Sequence, residues 1–231
     1  MSAVAENLAR VRQAVQRAAE RSGRDPAAVR LIAVSKTKPP ALIAEAIAAG
    51  QLDFGENYAQ ELRDKMEAVK AFGVRWHFIG GLQRNKVKYL VGKVEAIHSL
   101  DNIELAHEIE KRSANAGVLT RVLVEVNTGG EASKSGVAPE AVGPLVAAIR
   151  RLPHLEPIGL MTMPPLFDDA EASRPFFRSL RELRDRLRSE LADPEALPEL
   201  SMGLSHDFEV AIEEGATMVR VGTAIFGERE R

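Results

Sequence analysis

The stretch LIAVSKTKPPALIAEAIAAGQLDFGE (31–56) combines strand-like and helical patterns. It starts with an apolar run of strand length at 31–36, continues with a helical pattern over 40–49, and ends in a second strand-like run at 53–56. Strands that are nearly continuous in Val, Ile and Leu are typical of parallel sheets covered by helices on both faces. The segment therefore predicts a β–α–β unit of a parallel sheet.

The same alternation of strand-like and helical segments continues through the rest of the sequence. Eight such units in 231 residues fit a single (β/α)8 TIM barrel near the lower end of its size range. An amphipathic pattern that ends near Gly23 predicts an additional N-terminal helix. The predicted strands lie at 31–36, 53–56, 76–80, 94–100, 121–127, 155–161, 200–203 and 217–222, and the helices between them at 40–49, 58–71, 83–91, 102–116, 139–151, 170–191 and 206–214.

A doubly wound open sheet is the alternative architecture, because it also alternates strands and helices. Its dinucleotide-binding form carries G-x-G-x-x-G in the first β–α turn, whereas this sequence reads SKTKPP (35–40) there. The barrel is therefore the favoured fold. No Pro-, Gly- or Ser-rich linker divides the chain, so we expect residues 1–231 to form one domain.

Composition excludes several classes of function. The formal net charge is -2, from 31 basic and 33 acidic residues, which gives no electrostatic basis for binding nucleic acid or a membrane surface. The absence of cysteine excludes disulfides, Cys-ligated zinc, iron–sulfur clusters and a thiolate nucleophile. No His, Asp and Glu spacing predicts a metal site, and no segment predicts a signal peptide or a membrane span, so we expect a cytoplasmic protein.

Lys36 ends the first predicted strand, and the carboxyl ends of barrel strands carry functional residues. A pocket there would partly desolvate the side chain, which disfavours the ammonium form and leaves more free amine to form a Schiff base with a carbonyl. Such a lysine suits either an aldolase or the binding of pyridoxal 5′-phosphate (PLP). The alternative is a strand-end lysine that reaches solvent, which is the role that we expect of nearby Lys38.

Two glycine-containing segments late in the chain predict a phosphate site. They are SMGLS (201–205) and VRVGT (219–223), at the ends of the last two predicted strands. In barrels the loops after strands seven and eight often bind phosphate through backbone N–H groups, hydroxyls and a helix N-terminus. Ser205 is instead expected to cap the following helix. The candidate phosphate-binding residues are Ser201, Gly203, Gly222 and Thr223.

Arg220 lies between two valines inside the last predicted strand, where a guanidinium is costly unless it finds an acceptor. Facing a pocket, it could donate to the pyridine nitrogen of PLP and keep that nitrogen unprotonated. PLP would then be a weak electron sink, which favours holding it or racemase-type proton transfer. The alternative is a structural salt bridge, for example with Glu56.

The histidines are less informative than these residues. His77 and His98 are flanked by apolar strand residues, so we expect hydrogen-bonded core groups rather than catalysts. His206 lies at a predicted helix start and fits either role.

Seven motifs, in order and over nearly the whole chain, resemble the PLP homeostasis protein family. Together they are far more specific than any one of them. The motifs are AVSKTKP (33–39), FGENYAQEL (54–62), WHFIGGLQRNKVK (76–88), VLVEVN with EASKSG (122–136), GLMTMPP (159–165), LSMGLSHDFEVAI (200–212) and VRVGTAIFG (219–227).

The resemblance implies a barrel like the N-terminal domain of alanine racemase, with PLP bound as an internal aldimine on Lys36. It also implies a role in intracellular PLP homeostasis, as a carrier or regulator. The further residues that it implies are Asn57 beside the cofactor ring, Arg220 near the ring nitrogen, Ser201, Gly222 and Thr223 at the phosphate, and Lys134 in PLP handling.

The distribution of tyrosines also favours a carrier. Racemisation on PLP needs an acid or base on each face of the ring, and alanine racemase takes its second group, a tyrosine, from a further domain of the partner subunit. Here the only tyrosines are Tyr58 and Tyr89, and the last predicted strand ends a few residues before Arg231. We therefore expect a monomeric PLP carrier that supplies PLP-dependent apoenzymes. The alternatives are a PLP-dependent amino-acid racemase of low activity and a PLP-free Schiff-base aldolase.

Overall fold

Eight parallel strands form a closed barrel in the computed structural model, which describes residues 2–130 and 135–228. Neighbours along the chain are neighbours in the sheet, and the first strand also pairs with the last, with Ala33 beside Val221. The predicted TIM barrel is therefore confirmed, and the doubly wound open sheet is wrong. The strands are β1 (Arg30–Val34), β2 (Asp53–Glu56), β3 (Arg75–Phe78), β4 (Ala96–Leu100), β5 (Thr120–Glu125), β6 (Leu155–Met161), β7 (Glu199–Ser201) and β8 (Met218–Val221).

Helices cover the outside of the barrel. They are α1 (Ala3–Arg21), α2 (Pro40–Ala48), α3 (Ala59–Ala68), α4 (Ile103–Ala116), α5 (Pro139–Ile149), α6 (Arg174–Glu190), α7 (Phe208–Glu213) and α8 (Thr223–Phe226). The expected N-terminal helix is α1, which packs against α2, α7 and α8. None of these described helices is long and apolar enough to cross a membrane.

Two predicted helices, over 83–91 and 170–191, differ from the structure. The first is a 3-10 helix, Arg84–Tyr89, and Gly92 ends the segment at φ +72°, a conformation that favours glycine. The second begins as a separate 3-10 turn, Ala170–Ser173. The α-helix starts after it because Pro175, which has no N–H to donate, is tolerated only in the first turn.

Apolar side chains form the core between the strands and the helices. On three adjacent strands, Ala96, Leu123 and Met161 form a small cluster separate from that core. Polar side chains are also buried on the strands, among them His98 on β4 and Ser201 on β7. Because β4 and β7 are not neighbours in the sheet, the contact between these two side chains crosses the interior of the barrel.

Candidate functional site

A cavity of about 690 Å³ opens at the carboxyl ends of the strands, where TIM barrels carry their functional sites. Its volume suits a small-molecule ligand, since such cavities span roughly 300–1,000 Å³. The predicted site residues in its wall are Lys36, Asn57, Arg220, Gly222 and Thr223, and much of the remaining wall is apolar, with Val34, Ile79, Met163, Leu166 and Leu204.

The two lysines of the turn after β1 have different surroundings. Lys36 is half-buried in the cavity wall, so water is partly removed from its side chain. Lys38 is not part of that wall, and its Nζ donates to the carbonyl of Glu228 at 2.6 Å. Of the two, Lys36 is therefore the one that can react with a ligand in the cavity.

Arg220 reaches the cavity from β8 with only 2% of its surface exposed. Its Nη2 donates to the carbonyl of Thr162 at 2.8 Å, while its Nε has no hydrogen-bond partner among the described residues. Burial lowers the pKa of Arg220 to about 10, so the guanidinium stays charged at neutral pH. The alternative salt bridge with Glu56 is wrong, because Glu56 Oε1 accepts from Lys65 Nζ at 2.6 Å.

Asn57 follows β2, and its buried Oδ1 also has no partner among the described residues. Its backbone lies so close to Gly80 that a Cβ there would come within 2.3 Å of the Asn57 carbonyl oxygen, which explains the glycine. Buried polar atoms normally find a partner. An unpaired acceptor on Asn57 and an unpaired donor on Arg220 therefore fit a polar ring bound in this cavity, such as a substituted pyridine.

Ser205 does not cap the helix that follows it, contrary to the sequence-based expectation. The N-cap of α7 is Asp207, whose Oδ1 accepts from the N–H of Leu204 at 2.7 Å. The Ser205 hydroxyl oxygen accepts instead from the N–H groups of Gly222 at 3.1 Å and Ala224 at 3.3 Å. It ties the loop after β7 to the loop after β8 at the cavity wall.

Ser201 lies inside the barrel and is not among the residues of the cavity wall. Its Oγ is 2.9 Å from His98 Nδ1, and His98 Nε2 is 3.0 Å from His77 Nδ1. The His77 ring then contacts Asp53 Oδ1 through Nε2 at 3.2 Å. The prediction that His77 and His98 are hydrogen-bonded core residues is confirmed.

Two members of this buried hydrogen-bonded series, Asp53 and His98, have shifted pKa values. Burial alone would raise the pKa of Asp53, but hydrogen bonds from His77 and Arg75 outweigh it and lower the pKa to about 2, so the carboxylate only accepts. Burial holds the pKa of His98 well below its usual value. A neutral His98 ring carries one N–H, so it donates to one of its two partners, His77 Nδ1 and Ser201 Oγ, and accepts from the other. The Ser201 hydroxyl is thus hydrogen-bonded to His98 inside the barrel and is not part of the cavity wall.

Gly203 supports the backbone rather than the cavity wall. At φ +92°, a Cβ on Gly203 would lie 2.6 Å from Ala211 Cβ and 2.9 Å from Phe208 Cα, so only glycine lets α7 pack here. Its carbonyl accepts from the backbone N–H of Arg220 at 3.0 Å. Gly203 therefore helps to fix the position of Arg220.

The cavity also contains residues that the sequence did not assign to it. Ser205 and His206 lie in its wall, and their position just after a strand end is the signal that could have identified them. Leu166 lies further along the loop after β6 and is 86% exposed, and no sequence pattern marks it. Lys134 lies outside the described residues, so its role in PLP handling stays a prediction.

The family model that matches this chain covers nearly all of it. Residues 3–230 match the family model described as "Alanine racemase, N-terminal domain", and the chain belongs to this family. An alanine racemase from Corynebacterium glutamicum has the same fold, with a TM-score of 0.71 and 17% identity over 99% of this chain and 62% of that chain.

More similar relatives carry a narrower name. The chain is 52% identical, over 97% of its own length and 98% of the relative's, to the "Pyridoxal phosphate homeostasis protein" of Aquifex aeolicus. It is 34% identical to PipY of Synechococcus elongatus, and the structure of PipY with PLP bound matches it with a TM-score of 0.84 over 97% of this chain and 100% of that chain. The chain is therefore a member of the pyridoxal phosphate homeostasis protein family, as the seven motifs predicted.

Proposed function

We propose that this protein binds PLP covalently through Lys36 and holds it at the mouth of the barrel for PLP homeostasis. The observation that carries the proposal is the pair of buried polar atoms, Asn57 Oδ1 and Arg220 Nε, that have no partner among the described residues and lie at the same cavity as a half-buried lysine. The names of the relatives and the PLP in the PipY structure support it.

Each of the cavity residues would bind a different part of PLP. The Lys36 amine would attack the aldehyde carbon and form a Schiff base, with the carbonyl oxygen leaving as water. Arg220 would donate to the pyridine nitrogen, and its retained charge would keep that nitrogen unprotonated. Asn57 would lie beside the ring, while Gly222 and Thr223 would hold the phosphate. Bound PLP supplies an electron sink, which an unprotonated ring weakens.

For Ser201 and Gly203 we propose an indirect role, through Arg220. The N–H of Thr162 donates to the Ser201 carbonyl at 3.2 Å, and the Thr162 carbonyl in turn accepts from the Arg220 guanidinium. The Gly203 carbonyl accepts from the Arg220 backbone N–H. Both residues would therefore fix the donor that faces the ring.

We propose a carrier or regulator rather than a catalyst, one that acts in the cytoplasm as a monomer and supplies PLP-dependent apoenzymes. Relatives named for homeostasis and the presence of Arg220 in the cavity wall support this assignment. Schiff-base formation is reversible, so the bond that sequesters a reactive aldehyde also allows its release.

An absorbance titration with PLP tests the proposal on wild type, Lys36→Ala and Lys38→Ala. Wild type and Lys38→Ala are expected to gain the visible absorbance of a protein-bound Schiff base, because the Lys38 ammonium binds the Glu228 carbonyl and not the cavity. Lys36→Ala is expected to lose that absorbance. Equal absorbance of Lys36→Ala and wild type would contradict the proposal. The protein would be the PLP-free aldolase if wild type stays colourless with PLP and borohydride reduction links a small carbonyl compound to Lys36.

A racemase of low activity is the second candidate, and His206 is the observation that favours it. Among the described residues of the cavity wall, the titratable side chains are Lys36, His206 and Arg220. His206 is exposed, and imidazole is the side chain that most often acts as a general acid or base in catalysis. The test is exchange of the α-proton of an amino acid in deuterated buffer, followed by NMR. A carrier is expected to exchange it no faster than free PLP, whereas a fast exchange that His206→Ala abolishes would establish the racemase.

A further inference from the structure

Both chain neighbours of Lys36 are hydrogen-bonded to one buried cluster of charged side chains, here called the Lys65 cluster. Its members are Glu56 at the end of β2 and Glu61 and Lys65 on α3. Lys65 Nζ donates to the Ser35 carbonyl at 2.6 Å, and the Thr37 N–H donates to Glu61 Oε1 at 2.6 Å. The residue before Lys36 and the residue after it are thus held by the same group of atoms.

Lys65 is the centre of the cluster, and its three ammonium donors are all used. Besides the Ser35 carbonyl, they reach Glu56 Oε1 and Glu61 Oε1, each at 2.6 Å. Lys65 is 4% exposed and Glu56 is 0% exposed. Glu56 Oε1 accepts from both Lys65 and Ser35, whereas its Oε2 has no partner among the described residues. An ammonium that donates three hydrogen bonds has no free electron pair. Lys65 therefore does not compete with Lys36 as a nucleophile.

Ser35 is bound to the cluster a second time through its side chain. Its hydroxyl donates to Glu56 Oε1 at 2.7 Å, and the residue is completely buried. Its backbone N–H also donates to the Gly55 carbonyl on β2 at 3.1 Å. The side before Lys36 is therefore fixed by both the sheet and the cluster.

Thr37, the residue after Lys36, has a strained backbone conformation that other contacts must hold. It has φ +63°, in the left-handed region that β-branched residues rarely adopt. Strained backbone of this kind persists where the surrounding structure holds it, and it is concentrated at functional sites. Two hydrogen bonds hold it here, from the Lys38 N–H to the Ser35 carbonyl at 3.0 Å and from the Thr37 N–H to Glu61.

We propose that Glu61 and Lys65 are positioning residues for Lys36, which hold the strained turn so that the Lys36 amine faces the cavity. The inference rests on the proposed function, because it concerns the lysine that would bind PLP. It assigns the cluster no contact with the ligand, since none of its three members lies in the described cavity wall. Its effect on PLP would pass through the backbone of residues 35–37.

The test compares Glu61→Ala and Lys65→Met with two control variants, Glu67→Ala and Lys70→Met. The controls break an ion pair near the same helix whose side chains are 74% and 70% exposed. Removing a contact of the cluster is expected to weaken the apparent PLP affinity about tenfold, whereas the controls leave it unchanged. The pH midpoint of Schiff-base formation and the melting temperature without PLP are measured alongside. Lys65→Met leaves Glu56 buried without its cation, so Glu61→Ala, at a side chain that is 25% exposed, is the variant expected to stay folded.

A rescue variant separates positioning from general stability. Glycine adopts a positive φ without strain, so Thr37→Gly should remove the need for the Glu61 contact. The double variant Thr37→Gly with Glu61→Ala is expected to bind PLP within about threefold of Thr37→Gly alone.

The outcomes distinguish this inference from the proposed function. If wild type forms no Schiff base, both fail. If wild type binds PLP and a folded Glu61→Ala has the same affinity and the same pH midpoint, only the inference is overturned. It is also overturned if the control variants weaken binding as much, or if Thr37→Gly does not restore the affinity of Glu61→Ala.

Discussion

Glu125 and Arg220 are opposite charges buried on strands of the same barrel, on β5 and β8. Burial raises the pKa of Glu125 to about 6, and the charge of Arg220 offsets this only in part. The ordinary pKa of this carboxyl is 4.5. The folded chain therefore binds more protons than the unfolded chain between pH 4.5 and about 6, so the contribution of Glu125 to stability is lost as the pH rises through that range.

Replacing Glu125 by glutamine removes this titration. Relative to Glu125→Gln, wild type is expected to lose about 2 kcal/mol of unfolding free energy as the pH rises over this window. The measurement is urea unfolding of both proteins at several pH values between 4 and 7. Parallel pH profiles of the two proteins would contradict the assignment of a raised pKa to Glu125.

Among individual residues, those that follow strand ends can be predicted from the sequence more readily than those whose side-chain orientation depends on a distant partner. Lys36 and Gly222 were identified because the barrel rule applies to position alone, and Asn57 was identified through the family resemblance. Ser201 also ends a strand, but its hydroxyl is hydrogen-bonded to His98 on the opposite side of the barrel. The burial of Lys65 likewise depends on how α3 packs behind the first turn, which no local pattern encodes.

Among the secondary-structure elements, helices α6 and α7 are held together by ion pairs. Glu214, directly after α7, is 5% exposed in its side chain and lies 3.2, 2.9 and 3.0 Å from the guanidinium nitrogens of Arg174, Arg178 and Arg181. Three cations around one buried carboxylate form a network rather than an isolated surface pair. Such networks stabilise more than exposed pairs do, because the carboxylate is shielded from water.

Glu214→Gln should therefore destabilise the protein. Because the arginines are partly exposed, the expected loss is about 1–2 kcal/mol of unfolding free energy. Glu190→Gln is the control, since Glu190 and Arg186 on α6 are 4.0 Å apart and both 59% exposed, and its effect should stay below about 0.5 kcal/mol. Urea unfolding measures both. Equal effects of the two substitutions would show that the network adds nothing.

The strands were predictable at the element scale because both of their faces are buried, which makes each one a continuous apolar run. Their ends were less predictable. The prediction for the fifth strand runs to Asn127, whereas β5 ends at Glu125, because the chain there leaves the sheet and Val126 forms an isolated bridge with Val137. An apolar residue in a loop cannot be distinguished from one in a strand by its sequence neighbours alone.

At the scale of the whole molecule, the closed barrel brings the candidate site together. Lys36 and Thr223 lie near opposite ends of the chain, and the pairing of β1 with β8 places them in one cavity wall. The same closure places Arg220 in that wall. Because closure of the barrel brings the strand ends together, recognising the fold also predicts which residues share the cavity. Most of the candidate site could therefore be predicted from the sequence.

We expect Lys36 to carry PLP, and mass spectrometry after borohydride reduction tests this assignment. Reduction converts a Schiff base into a stable bond, so peptide mapping of the PLP-treated wild type reports which lysine reacted. The expected result is a phosphopyridoxyl group on Lys36, absent from Lys36→Ala. A wild-type adduct on Lys38, Lys65 or Lys134 with none on Lys36 would contradict it.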